Sequence, residues 1–259
     1  GALVPVAAGD DYAFGSIGSD ASAPAISADG RYVSFTTKAS LDPARDNTTT
    51  ANGDSDVYVR DMEIEAEVGA VCDVDDSGLA ETVARYGRID ILVNNAACGR
   101  HNVPPQDVTR QEWDRVIETN LTGSFLCARE VGKQMIGQKS GKIVNLASMS
   151  GLIINKGVHG GSYDISKHGV IGLTRALAVE WAPYNIQVNA LAPGYIMTQI
   201  NRDFFAEHPD TLKQFIDLTP VGRIGQPEDL EGAIVFLASR ASDFMAGSVL
   251  VIDGGYTCW

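Results

Sequence analysis

Two side chains four residues apart, Tyr163 and Lys167, have the types and the spacing of an acid–base pair. At that spacing on a helix they lie on one face, one turn apart. A tyrosine hydroxyl ordinarily titrates near about pH 10, and a nearby ammonium favours the phenolate and lowers that pKa. Ser148 follows an apolar segment upstream, where its hydroxyl can face the same substrate atom. Together the three side chains predict proton transfer at a substrate oxygen.

Four further motifs surround this set in a fixed order. An apolar run ends in the Asn-Asn pair at 94–95, and a helical segment with Asn120 in its middle follows. Downstream, an apolar strand leads into a Pro-Gly turn at 193–194, and Asp-Gly-Gly stands at 253–255. This order and spacing resembles the short-chain dehydrogenase/reductase family over about residues 69–259, and within it the polyol, ketose and gluconate dehydrogenases.

The resemblance implies an NAD- or NADP-dependent oxidoreductase that interconverts a secondary alcohol and a ketone of a polyol, sugar or sugar acid. Tyr163 would be the general acid/base, and Lys167 would lower its pKa and hydrogen-bond the nicotinamide ribose. Ser148 would hold the substrate oxygen, and Asn120 would kink its helix and hold a water that links Lys167 to solvent. The cofactor contacts implied in the same way are Asp73, Val74, Asn94, Ala96, Tyr163, Lys167, Pro193, Gly194, Ile196 and Thr198.

Two features downstream of Ser148 bear on substrate and assembly. His159, Asn155 and Gln199 are candidates for hydrogen bonds to substrate hydroxyls, and residues 199–221 form an excursion that covers the substrate in the resembled family. The predicted helix 163–182 has an apolar stripe that indicates either core packing or a subunit contact. The resemblance implies a homotetramer built partly on such helices. The stripe consists of Val170, Ile171, Leu173, Leu177, Ala178 and Trp181.

From residue 69 onward, short apolar strands alternate with amphipathic helices. This alternation predicts an α/β fold, a doubly wound parallel sheet of the Rossmann-like type in a single domain. The predicted strands are 69–72, 89–93, 141–146, 187–190 and 248–252, and the predicted helices are 77–86, 109–135, 163–182 and 227–239.

The first 68 residues depart from this pattern. The glycine-rich phosphate loop that opens a dinucleotide fold, T-G-x-x-x-G-x-G in the resembled family, is absent, and Gly15-Ser-Ile-Gly18 matches it weakly. Residues 24–62, with predicted strands at 31–37 and 57–61, resemble one blade of a TolB-like β-propeller. We therefore divide the chain into an atypical segment, 1–68, and a dehydrogenase core, 69–259. The segment is either foreign to the fold or supplies its first strands from residues 2–6 and 31–37.

Bulk composition excludes several classes of partner. The net charge is −13 and the pI is near 4.6, which argues against nucleic acid, and no apolar run approaches the ~18 residues of a membrane span. The four cysteines lack metal-ligand spacing, so we expect no metal. We expect a cytoplasmic enzyme with a small alcohol or ketone substrate. The alternative, because the phosphate loop is missing, is a non-catalytic dehydrogenase-fold scaffold that cannot bind dinucleotide.

Overall fold

The structure, a computed structural model, describes residues 87–100 and 102–259, together with the backbone of four strands within residues 25–69. These four strands form one sheet, and four strands of the later part form another. The predicted strand 2–6, the predicted helix 77–86 and the Gly15–Gly18 segment lie outside the described residues.

The first sheet is an antiparallel meander in the order β1-β2-β3-β4. Strands β2 and β3 confirm the predictions for 31–37 and 57–61 to within one residue. Of the predicted strand 69–72, Gly69 is the last residue of β4, which pairs antiparallel with β3, and 70–72 lie outside the described residues. The proposed insertion of 31–37 into the parallel sheet is wrong, since β2 pairs with β1 and β3. The strands are β1 Ala25–Ile26, β2 Tyr32–Thr37, β3 Asp56–Asp61 and β4 Ala66–Gly69.

The second sheet is parallel throughout, in the order β5-β6-β7-β8. Its strands are β5 Ile91–Asn94, β6 Gly141–Leu146, β7 Ile186–Pro193 and β8 Val249–Ile252. The four corresponding predictions are confirmed. Parallel neighbours need crossover connections, and helices supply them here. The register aligns Asn94 with Asn145 and Pro193 with Ile252, so the carboxyl ends of the strands share one edge.

Six α-helices lie in the described part of the chain. The predicted helix 109–135 begins at a capping box between Thr109 and Glu112, but a π-helical turn, Glu118–Gly123, interrupts it. The predicted helix 227–239 opens as a 3-10 turn, Pro227–Leu230. The helices are α1 Arg110–Ile117, α2 Ser124–Gln138, α3 Ser162–Trp181, α4 Gln199–Glu207, α5 Pro209–Asp217 and α6 Glu231–Ala238.

Both faces of the parallel sheet are covered, as the doubly wound prediction requires. Successive strand side chains point to opposite faces. On one face Leu92 and Ile143 pack against α2 and α3, while on the other Val93 and Val144 pack against α6. Strands buried on both faces explain the continuous apolar runs in the sequence. None of the described helices combines the length and the apolar character needed to cross a membrane.

Helix α3 uses its apolar stripe for the core. Val170, Ile171, Leu177 and Ala178 are buried, and the flanking Leu173 and Trp181 pack against the same core. Core packing is therefore the correct one of the two interpretations of this stripe. A second, exposed set of apolar side chains on α3 was not predicted, and it includes Ile165 and Val179, which are 51% and 76% exposed.

Gly151 lies where the turn after β6 contacts α3. A Cβ built on Gly151 would lie 2.7 Å from the carbonyl oxygen of Lys167 and 2.9 Å from Cδ1 of Ile171. No larger residue fits without moving the turn or the helix, so this contact sets the distance between Ser148 and α3.

We expect Gly151→Ala to lower the free energy of unfolding by about 1–3 kcal/mol, because the added methyl overpacks this contact. Gly232→Ala is the matched control, since Gly232 lies in α6 with nothing within 4 Å of a built Cβ. The control should be neutral or stabilising by up to about 1 kcal/mol through helix propensity. Urea unfolding measures both variants, and equal stability of the two would contradict the close contact.

Candidate active site

The candidate site lies at the edge of the parallel sheet where the carboxyl ends of the strands meet. Such ends, at the switch point of an open α/β sheet, are where these folds bind ligands. Ser148 follows β6 directly, and Asn94 and Pro193 are the last residues of β5 and β7. The three segments that the sequence singled out are therefore neighbours in space.

Ser148, Tyr163 and Lys167 come together as predicted. Ser148 caps the 3-10 turn Met149–Gly151, where its hydroxyl accepts from the amide of Ser150 at 3.1 Å, and it lies close enough to Tyr163 to lower the pKa of that hydroxyl. Tyr163 lies in the first turn of α3, and Nζ of Lys167 lies 5.7 Å from the centroid of its ring. Lys167 is buried and donates a 2.6 Å hydrogen bond to the carbonyl of Leu146 at the end of β6.

The electrostatics of Tyr163 differ from the prediction. Burial raises the pKa of Tyr163, while its hydrogen bond with Ser148 and the charge of Arg100 lower it. Burial likewise lowers the pKa of Lys167 to about 8, because a desolvated ammonium is disfavoured. Ser148 and Arg100 are the groups that lower the pKa of Tyr163 here, and the part of Lys167 in lowering that pKa stays a prediction.

Asn120 occupies the middle of the π-helical turn between α1 and α2, and its side chain is fully buried. Its amide donates to the carbonyl of Cys98 at 3.2 Å and to Oγ of Ser166 at 3.0 Å. Its side-chain oxygen accepts from the amide of Cys98 at 2.7 Å. Such π turns are frequent at functional sites. The predicted irregularity of the helix at Asn120 is present, and its side chain ties the loop after β5 to α3.

A buried amide network supports the site beneath these residues. Asn94 donates to Oδ1 of Asn145 at 2.8 Å and to the carbonyl of Ser124 at 3.2 Å. Asn145 donates in turn to Oγ1 of Thr174 at 2.9 Å. Asn145 and Thr174 were not predicted. The signal that could have found them is a polar residue at a buried strand or helix position, which needs a partner.

The predicted cofactor contacts after β7 form one turn at the same edge. The amide of Gly194 donates to the carbonyl of Ile252 at 2.9 Å, and a Cβ there would lie 2.7 Å from Cα of Asp253. Ile196 bridges to Gly225, and Thr198 caps α4. Ala96 follows β5 at the same edge. Asp73 and Val74 lie outside the described residues.

Arg100 and Asp164 are site residues that the sequence reasoning missed. The guanidinium of Arg100 contacts both carboxylate oxygens of Asp164, at 2.5 and 3.2 Å, and lies 5.4 Å from the Tyr163 ring centroid. Burial raises the pKa of Asp164, and Arg100 opposes that rise. Asp164 follows Tyr163 directly and Arg100 comes in the loop after β5, but nothing in their spacing indicated a pair.

The three residues predicted to bind substrate hydroxyls differ in their burial and in their hydrogen bonds. Asn155 is buried between Ser150 and Tyr195, accepting from Oγ of Ser150 at 3.0 Å and donating to the Tyr195 hydroxyl at 2.9 Å. His159 is exposed, and its backbone carbonyl accepts from Arg100. The side chain of Gln199 lies outside the described part.

Helices α4 and α5 pack over Tyr195 from the segment 199–221. The rings of Tyr195 and Phe215 stack at 3.9 Å between centroids, and Phe205 meets Phe215 edge-on. Tyr195 also lies edge-on against Tyr256, 5.6 Å away. These aromatic contacts place the excursion beside the site, as the resemblance implied.

Comparison with known proteins assigns this architecture to a family. A family model described as enoyl-(acyl carrier protein) reductase matches residues 15–257. The chain belongs to the short-chain dehydrogenase/reductase family. Short-chain dehydrogenase/reductase chains have the Rossmann-like α/β fold that the sequence predicted, and NADP-bound structures occur among the neighbours of this chain. The chain is therefore an NAD(P)-dependent oxidoreductase.

Three relatives illustrate the match. Galactitol 2-dehydrogenase of Rhizobium johnstonii is 42% identical over 202 residues, which cover 77% of this chain and 78% of that protein. The 2-dehydro-3-deoxy-D-gluconate 5-dehydrogenase of Dickeya dadantii is 43% identical over 177 residues, 68% of each chain. A gluconate 5-dehydrogenase from Burkholderia cenocepacia, solved with NADP and tartrate, has a TM-score of 0.66 at 38% identity over 71% of this chain and 70% of its own.

Most of the N-terminal segment is included in the family match. The short-chain dehydrogenase/reductase match begins at residue 15 and runs through residues 24–62. The resemblance of that segment to a propeller blade finds no support, although its strands form an antiparallel sheet.

We expect Arg100→Met to move the pKa of the Tyr163 hydroxyl to higher pH, because the variant removes a positive charge that lowers that pKa. Asp164→Asn should move it the opposite way, since the Asp164 charge raises it. NMR titration of ¹³C-labelled tyrosine measures both, with Tyr163→Phe identifying the resonance.

Arg240→Met is the control for this titration. Arg240 is 98% exposed beside Asp243 and should leave the Tyr163 titration unchanged. Shifts of Arg100→Met and Asp164→Asn in the same direction would contradict the charge assignment.

Proposed function

We propose that this oxidoreductase interconverts a secondary alcohol and a ketone of a polyol or related sugar, with Tyr163 as general acid/base. The observation that carries the proposal is the grouping of Tyr163 with Ser148, which lowers the pKa of its hydroxyl, and with Lys167, 5.7 Å from its ring centroid, beside the carboxyl ends of the parallel strands. A hydroxyl pair of this kind binds one oxygen from two sides, and charged groups flank it.

Each side chain of the set has a proposed role in proton handling. Tyr163 accepts the alcohol proton during oxidation and returns it during reduction. Ser148 hydrogen-bonds the substrate oxygen. It also lowers the pKa of Tyr163 and so favours the phenolate form of that tyrosine. Lys167 hydrogen-bonds the nicotinamide ribose and passes protons inward, which a pKa near 8 permits close to neutral pH. Asn120 fixes α3 against the loop after β5. Its main-chain carbonyl accepts one hydrogen bond from the Ser124 hydroxyl, and its second lone pair can accept from the proposed water.

The described half of the site fits the nicotinamide end of NAD(P). The end of β5 at Asn94, the Gly194 turn that tolerates no Cβ and the capping hydroxyl of Thr198 share one edge, where backbone can approach a ligand closely. Hydride transfer is the chemistry that bound NAD(P) supplies. The proposed contacts there are Asn94, Ala96, Tyr163, Lys167, Pro193, Gly194, Ile196 and Thr198, with Asp73 and Val74 for the adenine end.

We place the residue that distinguishes NAD from NADP in the N-terminal third of the chain. An acidic or basic residue that reads the ribose 2′ position belongs near the end of the second strand of such folds. The division into 1–68 and 69–259 stays a prediction. Because the residue that reads the ribose is not assigned, experiments on this chain use both NAD and NADP.

The polyol class is supported by relatives and by the site lining. Relatives are named as dehydrogenases of galactitol, glycerol and D-threitol, and others as dehydrogenases of gluconate derivatives. The wall beside Tyr163 carries the hydroxyl of Tyr195, held by Asn155 and Ser150 behind it, and a hydroxyl of this kind can hydrogen-bond substrate hydroxyls.

We expect Tyr163→Phe to lower kcat by at least about 10²-fold, since the variant keeps the ring and removes the acid/base. Binding of NADH and NADPH, followed by fluorescence, should be retained. Tyr184→Phe is the control, because Tyr184 is 41% exposed on the turn after α3, and it should turn over like the wild type.

Two outcomes of that experiment separate the hypotheses. Undiminished turnover of Tyr163→Phe would contradict the acid/base role. No binding of either nucleotide by the wild type at millimolar concentration would favour the non-catalytic scaffold.

We further propose a homotetramer that buries the exposed face of α3. Ile165, Gly172, Ala176 and Val179 are exposed at spacings that place them on one side of the helix, and Phe125 of α2 is 41% exposed. Small residues in the middle of this face permit close packing against a second copy of the same helix.

We expect Val179→Asp to dissociate the assembly, because it places a carboxylate in the apolar face of each copy. Light scattering after size exclusion measures the mass. Ala206→Asp is the control, since it adds the same charge at an exposed position of α4. A wild type that is monomeric, or a Val179→Asp protein of unchanged mass, would contradict the proposed interface.

A further inference from the structure

The ion pair between Arg100 and Asp164 lies in the wall beside Tyr163, and its two charges act on the pKa of Tyr163 in opposite directions. Its side chains are 16% and 1% exposed, so both charges are largely removed from water. The guanidinium meets the two carboxylate oxygens at 2.5 and 3.2 Å, a bidentate contact. Because Arg100 lies 5.4 Å from the centroid of the Tyr163 ring, the pair lies beside the proposed acid/base.

The remaining donors of Arg100 are directed to neutral groups. Nη1 donates to the carbonyl of His159 at 2.9 Å, and Nη2 donates to Oγ of Ser150 at 3.1 Å. The positive charge is therefore matched by one carboxylate and two neutral acceptors. An anionic substrate would have to compete with Asp164 for this guanidinium.

The other charged groups nearby do not alter this balance. Lys167 is buried and donates to the carbonyl of Leu146, on the sheet side of Tyr163. His168 is an exposed ring whose Nδ1 lies 2.9 Å from the main-chain carbonyl of Asp164. Neither is placed to receive a substrate carboxylate next to Arg100.

Neutral polar groups continue the wall from Arg100. Oγ of Ser150 donates to Asn155, and Asn155 donates to the hydroxyl of Tyr195, whose oxygen can accept a second hydrogen bond. Burial raises the pKa of Tyr195, so this hydroxyl stays neutral. The hydrogen-bonded series Arg100–Ser150–Asn155–Tyr195 therefore ends in a neutral hydroxyl, and Asp164 cancels the charge of Arg100.

We propose that Asp164 is a specificity-determining residue that neutralises Arg100, so that the enzyme takes uncharged polyols and their ketoses and discriminates against sugar acids. This inference rests on the proposed function and narrows its substrate class. Asp164 acts through Arg100 and is thus a positioning residue.

The physical reason is desolvation. A substrate hydroxyl can exchange water for a neutral group such as the Tyr195 hydroxyl at little cost, because both sides remain hydrogen-bonded. A substrate carboxylate enters a site whose cation is already paired, which leaves one of two carboxylates buried without a counter-ion. Removing the Asp164 charge should therefore admit the acid.

The experiment compares galactitol with galactonate, which carries a carboxylate in place of one terminal hydroxymethyl group, and repeats this with shorter matched pairs. NAD and NADP are both used. We expect the wild type to favour the alditol in kcat/KM by at least about tenfold. Asp164→Asn, nearly isosteric, should lower that preference by about tenfold or more, mainly through KM for the aldonate.

The matched control is the double variant Asp164→Asn with Arg100→Met. It removes the freed cation as well, and we expect it to restore the preference for the alditol. A purely structural effect of Asp164→Asn would lower kcat/KM for both substrates alike, and the second substitution would not restore the ratio. Thermal melting checks that each variant folds, and Asp164→Ser replaces Asp164→Asn if the latter does not.

Three results would overturn the inference. They are a wild-type preference for the aldonate, an unchanged ratio in the folded Asp164 variant, and a gain on the aldonate that persists without Arg100. Nucleotide-linked turnover with any of these results leaves the proposed function in place. Absence of turnover of every alditol, aldonate and corresponding ketose by the wild type contradicts the proposed function, and this inference with it.

Discussion

The site depends on one constraint, that the polar side chains buried along α3 must each find a hydrogen-bond partner. Four of them do so on different elements of the structure. A buried polar group without a partner costs about 1–3 kcal/mol, so these bonds determine where the helix lies. The pairs are Asp164 with Arg100, Ser166 with Asn120, Lys167 with the Leu146 carbonyl, and Thr174 with Asn145.

Burial also decides the electrostatics of the catalytic set. Tyr163 and Lys167 both lose solvation, which raises the pKa of the first and lowers that of the second. Ser148 and Arg100 oppose part of the rise in the pKa of Tyr163. Positioning and charge therefore come from the same contacts, and a change in the wall beside Tyr163 alters both proton transfer and substrate choice.

Much of the fold follows from the sequence because its signals are local. The apolar runs of β5 to β8 and the helical period of α3 need only neighbouring residues to be recognised. The irregularity of the helix at Asn120 was expected only through the family resemblance, and the direction of β4 was not predicted. The π turn depends on contacts with Cys98 and Ser166 across the site, and strand direction depends on the partner strand.

The sequence by itself determined the family, the parallel sheet and the Ser148, Tyr163 and Lys167 set, since spacing along a helix and motif order are properties of the chain. Only the tertiary structure decided what surrounds that set. Arg100 lies 64 residues from Asp164, and their contact, at 2.5 Å, exists because the loop after β5 and the start of α3 meet at one sheet edge. Asp164 neutralises the charge of Arg100 only because these two segments are in contact, so no local sequence pattern predicts it.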